Sequence, residues 1–358
     1  MTDTDRADEG RTGAGQSDAG RADTGRRGAP GRAGRALGRG TLAAVVAAAV
    51  VVVVAGVAVY FNTNVGTPGR ICHGWVRTSD AAAVLGGGGP GRVTASEDSP
   101  DTCTVRRHGW LQGTGGELVL RRAPEPGSFP FYAGDWEVSG TRHVLSGGTH
   151  GAYGASRGWV LLPRSCDGHR AGDDRGRALT ADITEGGPAE HPADLGRLLT
   201  AAGQRLSGES CDGSGKHPAT RDTAPAPERA ADLGRVCGID GFALRGVRGP
   251  KGEPVRESVT GTAERGLYCD LAFEGDREGP FARVAVVGDT AFAAALDGRG
   301  FTRARCAGRE TVFAYDLRHM DDDERAATRL PEPAGFARTF GTAARAAAHC
   351  TDTTGGAP

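Results

Sequence analysis

The feature that most constrains this chain is an uninterrupted apolar stretch near its N-terminus, from Thr41 to Phe61. It contains no charged residue, and a helix of this length, at about 1.5 Å per residue, spans the ~30 Å hydrocarbon core of a bilayer. The sequence therefore predicts a transmembrane helix at 41–61. All eight cysteines and all four tryptophans follow this stretch, so most of the chemistry is expected on its C-terminal side.

The charges flanking the apolar stretch predict its orientation. Five arginines lie between Asp23 and the stretch, with no acidic residue among them: Arg26, Arg27, Arg32, Arg35 and Arg39. The first cation after the stretch is Arg70, so the positive-inside rule places the N-terminus in the cytoplasm and the remainder outside. A cleaved signal peptide is the alternative, since Gly56 and Ala58 resemble a cleavage site. The length of the stretch favours an uncleaved, single-pass anchor in the cell membrane.

Residues 1–40 are expected to form a disordered cytoplasmic tail. They contain one leucine and no aromatic residue, so they cannot bury a core. The abundance of glycine alone is a weaker sign of disorder, because glycine, alanine and arginine all have GC-rich codons. The arginines of the tail are interpreted as topology signals. Similar Gly-Arg segments bind anionic lipids or nucleic acid, but no nucleic-acid partner is expected here.

An internal repeat follows a short polar linker at 62–69. The motif Gly-Arg-Ile-Cys at 69–72 recurs as Gly-Arg-Val-Cys at 234–237. The first cysteine interval is 31 residues in one copy and 32 in the other, and the last is 45 and 44. The middle interval is 63 against 37, so the first copy carries an insertion of 26 residues.

The repeat predicts the domain plan. Repeat 1 is expected at 70–212 and repeat 2 at 234–352, both extracytoplasmic, with a linker at 213–233 and a short tail at 353–358. Each copy is expected to be a small, mostly antiparallel sheet with flanking helices, so the fold class is α+β. Ser79 is a candidate N-cap for a short helix in repeat 1.

Periodicity locates the main elements of each copy. Strand-like segments lie at 117–121, 159–162 and 179–183 in repeat 1, and at 267–273, 281–287 and 311–317 in repeat 2. Each copy ends in a predicted amphipathic helix, with its apolar stripe formed by Leu195, Leu198, Leu199, Ala202 and Leu206 in repeat 1 and by Phe336, Phe340, Ala343 and Ala347 in repeat 2.

The cysteines are expected to form disulfides. They lie on the outer side of the predicted anchor and none belongs to a Cys-x-x-Cys pair, which argues against zinc or a thiol redox centre. If each cysteine pairs within its own repeat and both repeats share one pattern, three patterns remain. Sequential pairing is preferred, because the loops that it closes have nearly the same length in both copies. It pairs Cys72–Cys103, Cys166–Cys211, Cys237–Cys269 and Cys306–Cys350. No metal and no cofactor are predicted.

Candidate chemistry is sparse. Residues 154–158 match Gly-x-Ser-x-Gly around Ser156, but a nucleophile elbow needs a helix after the serine, and a strand is predicted there. His143 and His150 share the insertion and could bind a metal with one carboxylate, although ordinary surface histidines are favoured. The glycine run at 86–91 is interpreted as a flexible loop, since no Gly-Lys-Ser/Thr follows.

Aromatic residues concentrate between the second and third cysteines. Five of them are candidate binding residues in or near the insertion: Trp110, Phe129, Phe131, Tyr132 and Trp136. Exposed aromatics usually serve recognition, although burial in an enlarged core is the favoured interpretation. Trp159 is assigned to the core, because Phe301 is its aromatic counterpart in the second copy.

These features carry a resemblance. A cysteine at the domain start, a short alanine-rich helix ending in glycine, a glycine-rich loop and a second cysteine in a strand resemble actinobacterial membrane-anchored or lipoprotein extracytoplasmic domains of unknown function. This chain departs from them in lacking a lipidated cysteine and in having two copies. The resemblance implies an envelope location and gives no indication of an activity. Because no nucleophile and base stand at an informative spacing, a non-catalytic module that binds an extracytoplasmic protein or ligand is favoured over a cell-envelope hydrolase.

Overall fold

The computed structural model describes residues 39–86, 91–109, 113–124, 138–162, 177–210, 219–296 and 301–351. Helix α1 spans Arg39–Asn62. Its segment Leu42–Asn62 is long and apolar enough to cross a membrane, and none of it is buried inside the protein. The core helix of a water-soluble domain would instead be covered by other elements. By their contacts, the described residues form two units that divide after Val52.

Beyond α1, a two-stranded ribbon precedes two larger sheets. The ribbon pairs β1 (Arg70–Ile71) with β2 (Val76–Arg77). The first large sheet contains β3 (Arg92–Ser99), β4 (Thr102–Gly109), β5 (Gly113–Pro124), β6 (His143–Gly147), β7 (Gly151–Tyr153), β8 (Arg157–Leu162), β9 (Arg177–Glu185) and β10 (Thr220–Thr223). Its order is β10-β6-β7-β8-β9-β5-β4-β3, and every pairing is antiparallel.

The second large sheet has six strands, also antiparallel. They are β11 (Arg229–Ala230), β12 (Val255–Thr262), β13 (Gly266–Phe273), β14 (Ala282–Val287), β15 (Thr302–Cys306) and β16 (Arg309–Leu317). Their order is β11-β12-β13-β14-β16-β15. The helices are α2 (Thr78–Val84), α3 (Pro192–Ser210), α4 (Thr290–Ala295), α5 (Asp322–Thr328) and α6 (Pro333–Ala347). The α+β class and the antiparallel sheets agree with the sequence prediction.

The two sheets share a strand order. The run β3-β4-β5-β9-β8 in the first matches β12-β13-β14-β16-β15 in the second. Strands β6 and β7 extend the first sheet beyond β8, and they come from the segment where the sequence carries its insertion. Cys72 and Cys237 both adopt a left-handed backbone, with φ of 58° and 56°, and each is bridged to the second strand of its run.

Side chains on alternate faces of the sheets build three core clusters. One face of the first sheet packs on α2 and α3, as Val160 and Leu179 do with the stripe of α3. One face of the second sheet packs on α6 through Phe336 and Phe340. The remaining faces pack on each other, and there Trp159 of β8 lies against Phe292 of α4 with ring centroids 5.6 Å apart. The layers are therefore helix, sheet, sheet and helix.

Two sequence predictions differ from the structure. The segment 213–233, expected to be a linker, contributes β10, which pairs with β6, and β11, which pairs with β12. Both are short polar edge strands, so no apolar alternation marked them. Ser79 is not an N-cap, because α2 begins at Thr78 and its cap residue is Arg77, which forms no side-chain cap bond.

Three predicted disulfides are confirmed among the described cysteines. They are Cys72–Cys103, Cys237–Cys269 and Cys306–Cys350. Cys166 and Cys211 lie outside the described residues, so their pairing stays a prediction. The predicted stripes are also confirmed, since the five α3 residues are buried against the first sheet and Phe336 and Phe340 against the second.

Candidate functional site

The five predicted binding residues cannot be placed. Trp110, Phe129, Phe131, Tyr132 and Trp136 all lie outside the described residues, and their role stays a prediction. The core assignment of Trp159 is confirmed, because its side chain is fully buried. Its counterpart Phe301 is partly buried against the same cluster.

The serine motif has no elbow geometry. Ser156 lies in the turn between β7 and β8, which is closed by a hydrogen bond from the Gly154 N–H to the Arg157 carbonyl at 2.8 Å. The chain continues directly into β8 rather than into a helix. The turn therefore does not have the strand–serine–helix arrangement of a nucleophile elbow.

The two histidines of the insertion are not brought together on one ligand. The His143 Nδ1 atom lies 3.0 Å from a carboxylate oxygen of Asp222, whereas the His150 Nδ1 atom lies 3.1 Å from Asp289. Each histidine thus has its own carboxylate. The Asp289 carboxylate also accepts the N–H of Phe292 at 3.1 Å, so it caps the start of α4.

One group of metal-ligand residue types occurs within the described ranges, at Cys237, Glu257 and Cys269. It is structural, because the two cysteines form a disulfide and offer no thiolate. The Glu257 carboxylate is 2 % exposed and accepts the N–H of Cys237 at 2.8 Å and the Arg229 Nε–H at 2.7 Å. These bonds hold the left-handed turn at Cys237 on β12.

A second polar cluster joins β10 to the first sheet. The Tyr153 hydroxyl donates to the Asp222 carboxylate, and the Tyr153 and His143 rings stack with centroids 4.6 Å apart. Burial raises the pKa of Tyr153, and the hydrogen bond to Asp222 raises it further. Tyr153 therefore stays protonated and donates, and this bond attaches edge strand β10 to the first sheet.

Tyr153 fits because helix α3 carries a glycine opposite its ring. A Cβ at Gly196 would lie 2.5 Å from ring carbons of Tyr153, whereas a Cβ at Gly208 of the same helix meets nothing within 4 Å. Alanine at Gly208 is expected to stabilise the protein by up to about 1 kcal/mol through helix propensity. Alanine at Gly196 is expected to lose about 1–3 kcal/mol to overpacking despite the same gain.

Chemical denaturation of the two variants measures this difference. Because both replace glycine by alanine in α3, Gly208→Ala is the matched control for Gly196→Ala. Equal stabilisation by both replacements would show that the Tyr153 ring is not held against α3.

A cavity of about 270 Å³ opens at one end of the first sheet. It lies between the end of α2, the β4–β5 pair and the end of β9. Its lining residues are Val84, Leu85, Gly86, Arg107, Gly115, Gly116, Ile183, Glu185, Gly186, Gly187, Pro188 and Glu190. We call it the Arg107 cavity.

Two β-bulges shape the Arg107 cavity. The β4–β5 register shifts at Gly115, and the β5–β9 register shifts at Thr184. Bulges of this kind often lie beside functional sites, where they redirect side chains.

The Thr184 hydroxyl donates to Glu117 at 2.7 Å, and this bond, with a further one from Arg106, lowers the pKa of Glu117. The ionised Glu117 carboxylate therefore stabilises the folded protein, and this contribution is lost as the pH falls through the lowered pKa.

Arg107 provides the buried charge of the cavity. Its side chain comes from β4 and is 9 % exposed. The Nη1 group donates to the carbonyls of Leu85, at 2.8 Å, and Gly86 at the end of α2. These bonds fix the guanidinium plane, so the cation is preorganised. Glu185 and Glu190, both exposed, place negative charge at the outer side.

The sequence contained a signal for this cavity. Paired glycines at 115–116 and 186–187 occur at the ends of predicted strands, where glycine typically marks a bulge or a close backbone approach. A Cβ at Gly186 would lie 2.6 Å from the Gly115 carbonyl oxygen, so the two backbone segments do approach each other closely. The arginine was not predicted, because its burial depends on contacts between distant segments.

No family model, curated protein or solved structure matches this chain. The assignment of a function therefore depends on the geometry described above.

Proposed function

We propose that this chain is a single-pass membrane protein that holds a non-catalytic, ligand-binding module outside the cytoplasm. The observation that carries the proposal is the apolar segment Leu42–Asn62, none of which is buried, together with the disulfide-bonded elements that begin at Cys72. Exposed apolar helices are stable in lipid, and persistent disulfides indicate an oxidising compartment. The arginines before the helix favour a cytoplasmic N-terminus.

Binding rather than catalysis is supported by the lining of the Arg107 cavity. The residues around it offer two carboxylates, one guanidinium and glycine backbone groups. None of these lining residues supplies a hydroxyl, thiol or imidazole side chain, so the described lining contains no Ser-His or Cys-His pair. Matching strand orders further support two homologous extracytoplasmic repeats, which pack together as one module.

Cysteine labelling in intact cells tests the topology. Val65 is 62 % exposed and lies shortly after α1, which ends at Asn62, so Val65→Cys should react with a membrane-impermeant maleimide. Ser17→Cys, on the other side of the apolar stretch, is the matched control and should react only after the cells are permeabilised. Labelling of Ser17→Cys but not Val65→Cys in intact cells would reverse the orientation and remove the proposed function.

A further inference from the structure

The Arg107 cavity carries charges of both signs at different depths. The buried Arg107 guanidinium is held by the end of α2, while Glu185 ends β9 and Glu190 lies in the chain that follows it, both exposed. A purely anionic ligand would be repelled by the glutamates, and a purely cationic ligand by Arg107. A small zwitterion, with its anion inward and its ammonium outward, satisfies both.

The size of the cavity restricts the zwitterion. Pockets for drug-sized ligands have volumes of roughly 300–1,000 Å³, and this cavity, at about 270 Å³, lies below that range. It suits a headgroup or a metabolite of similar size. Arginine matches the geometry of phosphate and carboxylate oxygens, and the glycine walls let backbone groups approach the ligand closely.

The cavity lies next to the chain that leaves α1. The Gly91 N–H donates to the Asn62 carbonyl at 2.9 Å, and the Val93 N–H donates to the Asn64 side chain at 2.8 Å. Gly91 in turn packs on Arg107, since a Cβ there would lie 2.7 Å from the Arg107 Nε atom. Asn62 ends the apolar segment, so in a membrane it lies at headgroup level.

We propose that the Arg107 cavity binds a phosphoethanolamine group, with the phosphate on Arg107 and the ammonium on Glu185 and Glu190. This inference rests on the proposed function, because it names the ligand of the extracytoplasmic module. The same chemistry can come from a lipid headgroup or from a soluble phosphoethanolamine compound. The position beside Asn62 makes the headgroup accessible without removing the lipid from the bilayer.

Calorimetric titration of the full chain in maltoside micelles tests the chemistry. The probes are phosphoethanolamine, inorganic phosphate and phosphocholine, whose quaternary ammonium cannot donate hydrogen bonds to the glutamates. Phosphoethanolamine should bind about tenfold more tightly than either of the others, as expected for a charge-assisted hydrogen bond. Equal affinity for phosphate and phosphoethanolamine, or no binding of phosphoethanolamine, would overturn the inference.

Two variants assign the two ends of the ligand. Arg107→Gln should lose phosphoethanolamine binding by about tenfold or more. The double variant Glu185→Gln/Glu190→Gln changes exposed side chains only, so it should fold normally and lose the preference over phosphate. Arg265→Gln and Glu264→Gln, both exposed and in the turn before β13, are the controls and should bind like the parent. An unchanged preference in the double glutamine variant would contradict the inference even if Arg107→Gln does not fold.

Nanodiscs distinguish the two sources. Soluble phosphoethanolamine should bind more weakly to the full chain in phosphatidylethanolamine discs than in phosphatidylcholine discs if the headgroup competes for the cavity. Equal binding in both discs would show that the ligand is a soluble phosphoethanolamine compound rather than a lipid headgroup, and the proposed contacts to Arg107, Glu185 and Glu190 would stand. Cysteine labelling at Val65 is independent of all three probes, so failure to bind phosphoethanolamine would leave the proposed topology intact.

Discussion

Replacing Cys237 and Cys269 together by alanine is expected to lower the free energy of unfolding by about 3.5–4 kcal/mol. The bridge closes a loop of 32 residues, and in the chain-entropy model its removal restores that conformational freedom to the unfolded chain. The turn it anchors has a left-handed Cys237, with φ of 56°, so the native backbone there is costly for an alanine as well. Chemical denaturation of the full chain in detergent measures the loss.

The corresponding bridge of the first sheet provides an internal comparison. Cys72–Cys103 closes a loop of 31 residues and also anchors a left-handed cysteine, so the double alanine variant there should lose a similar amount. A loss below about 1 kcal/mol in either variant would show that the unfolded chain is restrained by other means. Such a result would contradict the chain-entropy argument for these domains.

The disulfide framework and the helices were predictable because their signals are local or periodic. Cysteine intervals that repeat along the chain favoured the pairing of Cys306 with Cys350 among three possible patterns, and the structure confirms it. The stripe of α3 follows from helical spacing alone. Edge strand β10 was missed for the opposite reason, since its four polar residues form a strand only because β6 offers an open edge.

The packing of the two sheets on each other was also missed, although the sequence contained its signal. In β8, Trp159 points to the shared cluster and Val160 to the helix side, so this strand is apolar on both faces. A strand with only one buried face alternates apolar and polar residues, whereas a continuous apolar run indicates burial on both. The partner of the second face, Phe292, lies far along the chain, and nothing local identifies it.

The cavity illustrates a further limit of sequence reasoning. The glycine run at 86–91 was interpreted as a plain loop, and Arg107 carried no motif. Their proximity arises because β4 places Arg107 under the end of α2. Such a site depends on two segments that meet only in the folded chain, so single-sequence patterns do not reveal it.

Replacing Trp159 by alanine is expected to cost about 3–5 kcal/mol of stability, as for other fully buried aromatic side chains. Because Trp159 of the first sheet contacts Phe292, which packs with the second sheet, the substitution should destabilise both sheets. Hydrogen exchange of the β8 and β13 amides measures each half separately, and both should exchange faster. Trp159→Phe, which keeps an aromatic ring, is the control and should lose less.

Because the two sheets share this buried cluster, we expect the two fragments to stay together when the chain is cut between them. A protease site introduced at 213–217 would leave β10 on the C-terminal fragment while its pairing partner β6 stays on the N-terminal one. The Thr260 hydroxyl adds hydrogen bonds to the carbonyls of Gly140 and Arg142 at 3.0 and 3.1 Å. The cut fragments should therefore co-elute in size-exclusion chromatography without a disulfide between them, and Trp159→Ala should make them separate. Separation of the cut fragments in the protein that keeps Trp159 would mean that the two sheets fold and act as independent domains.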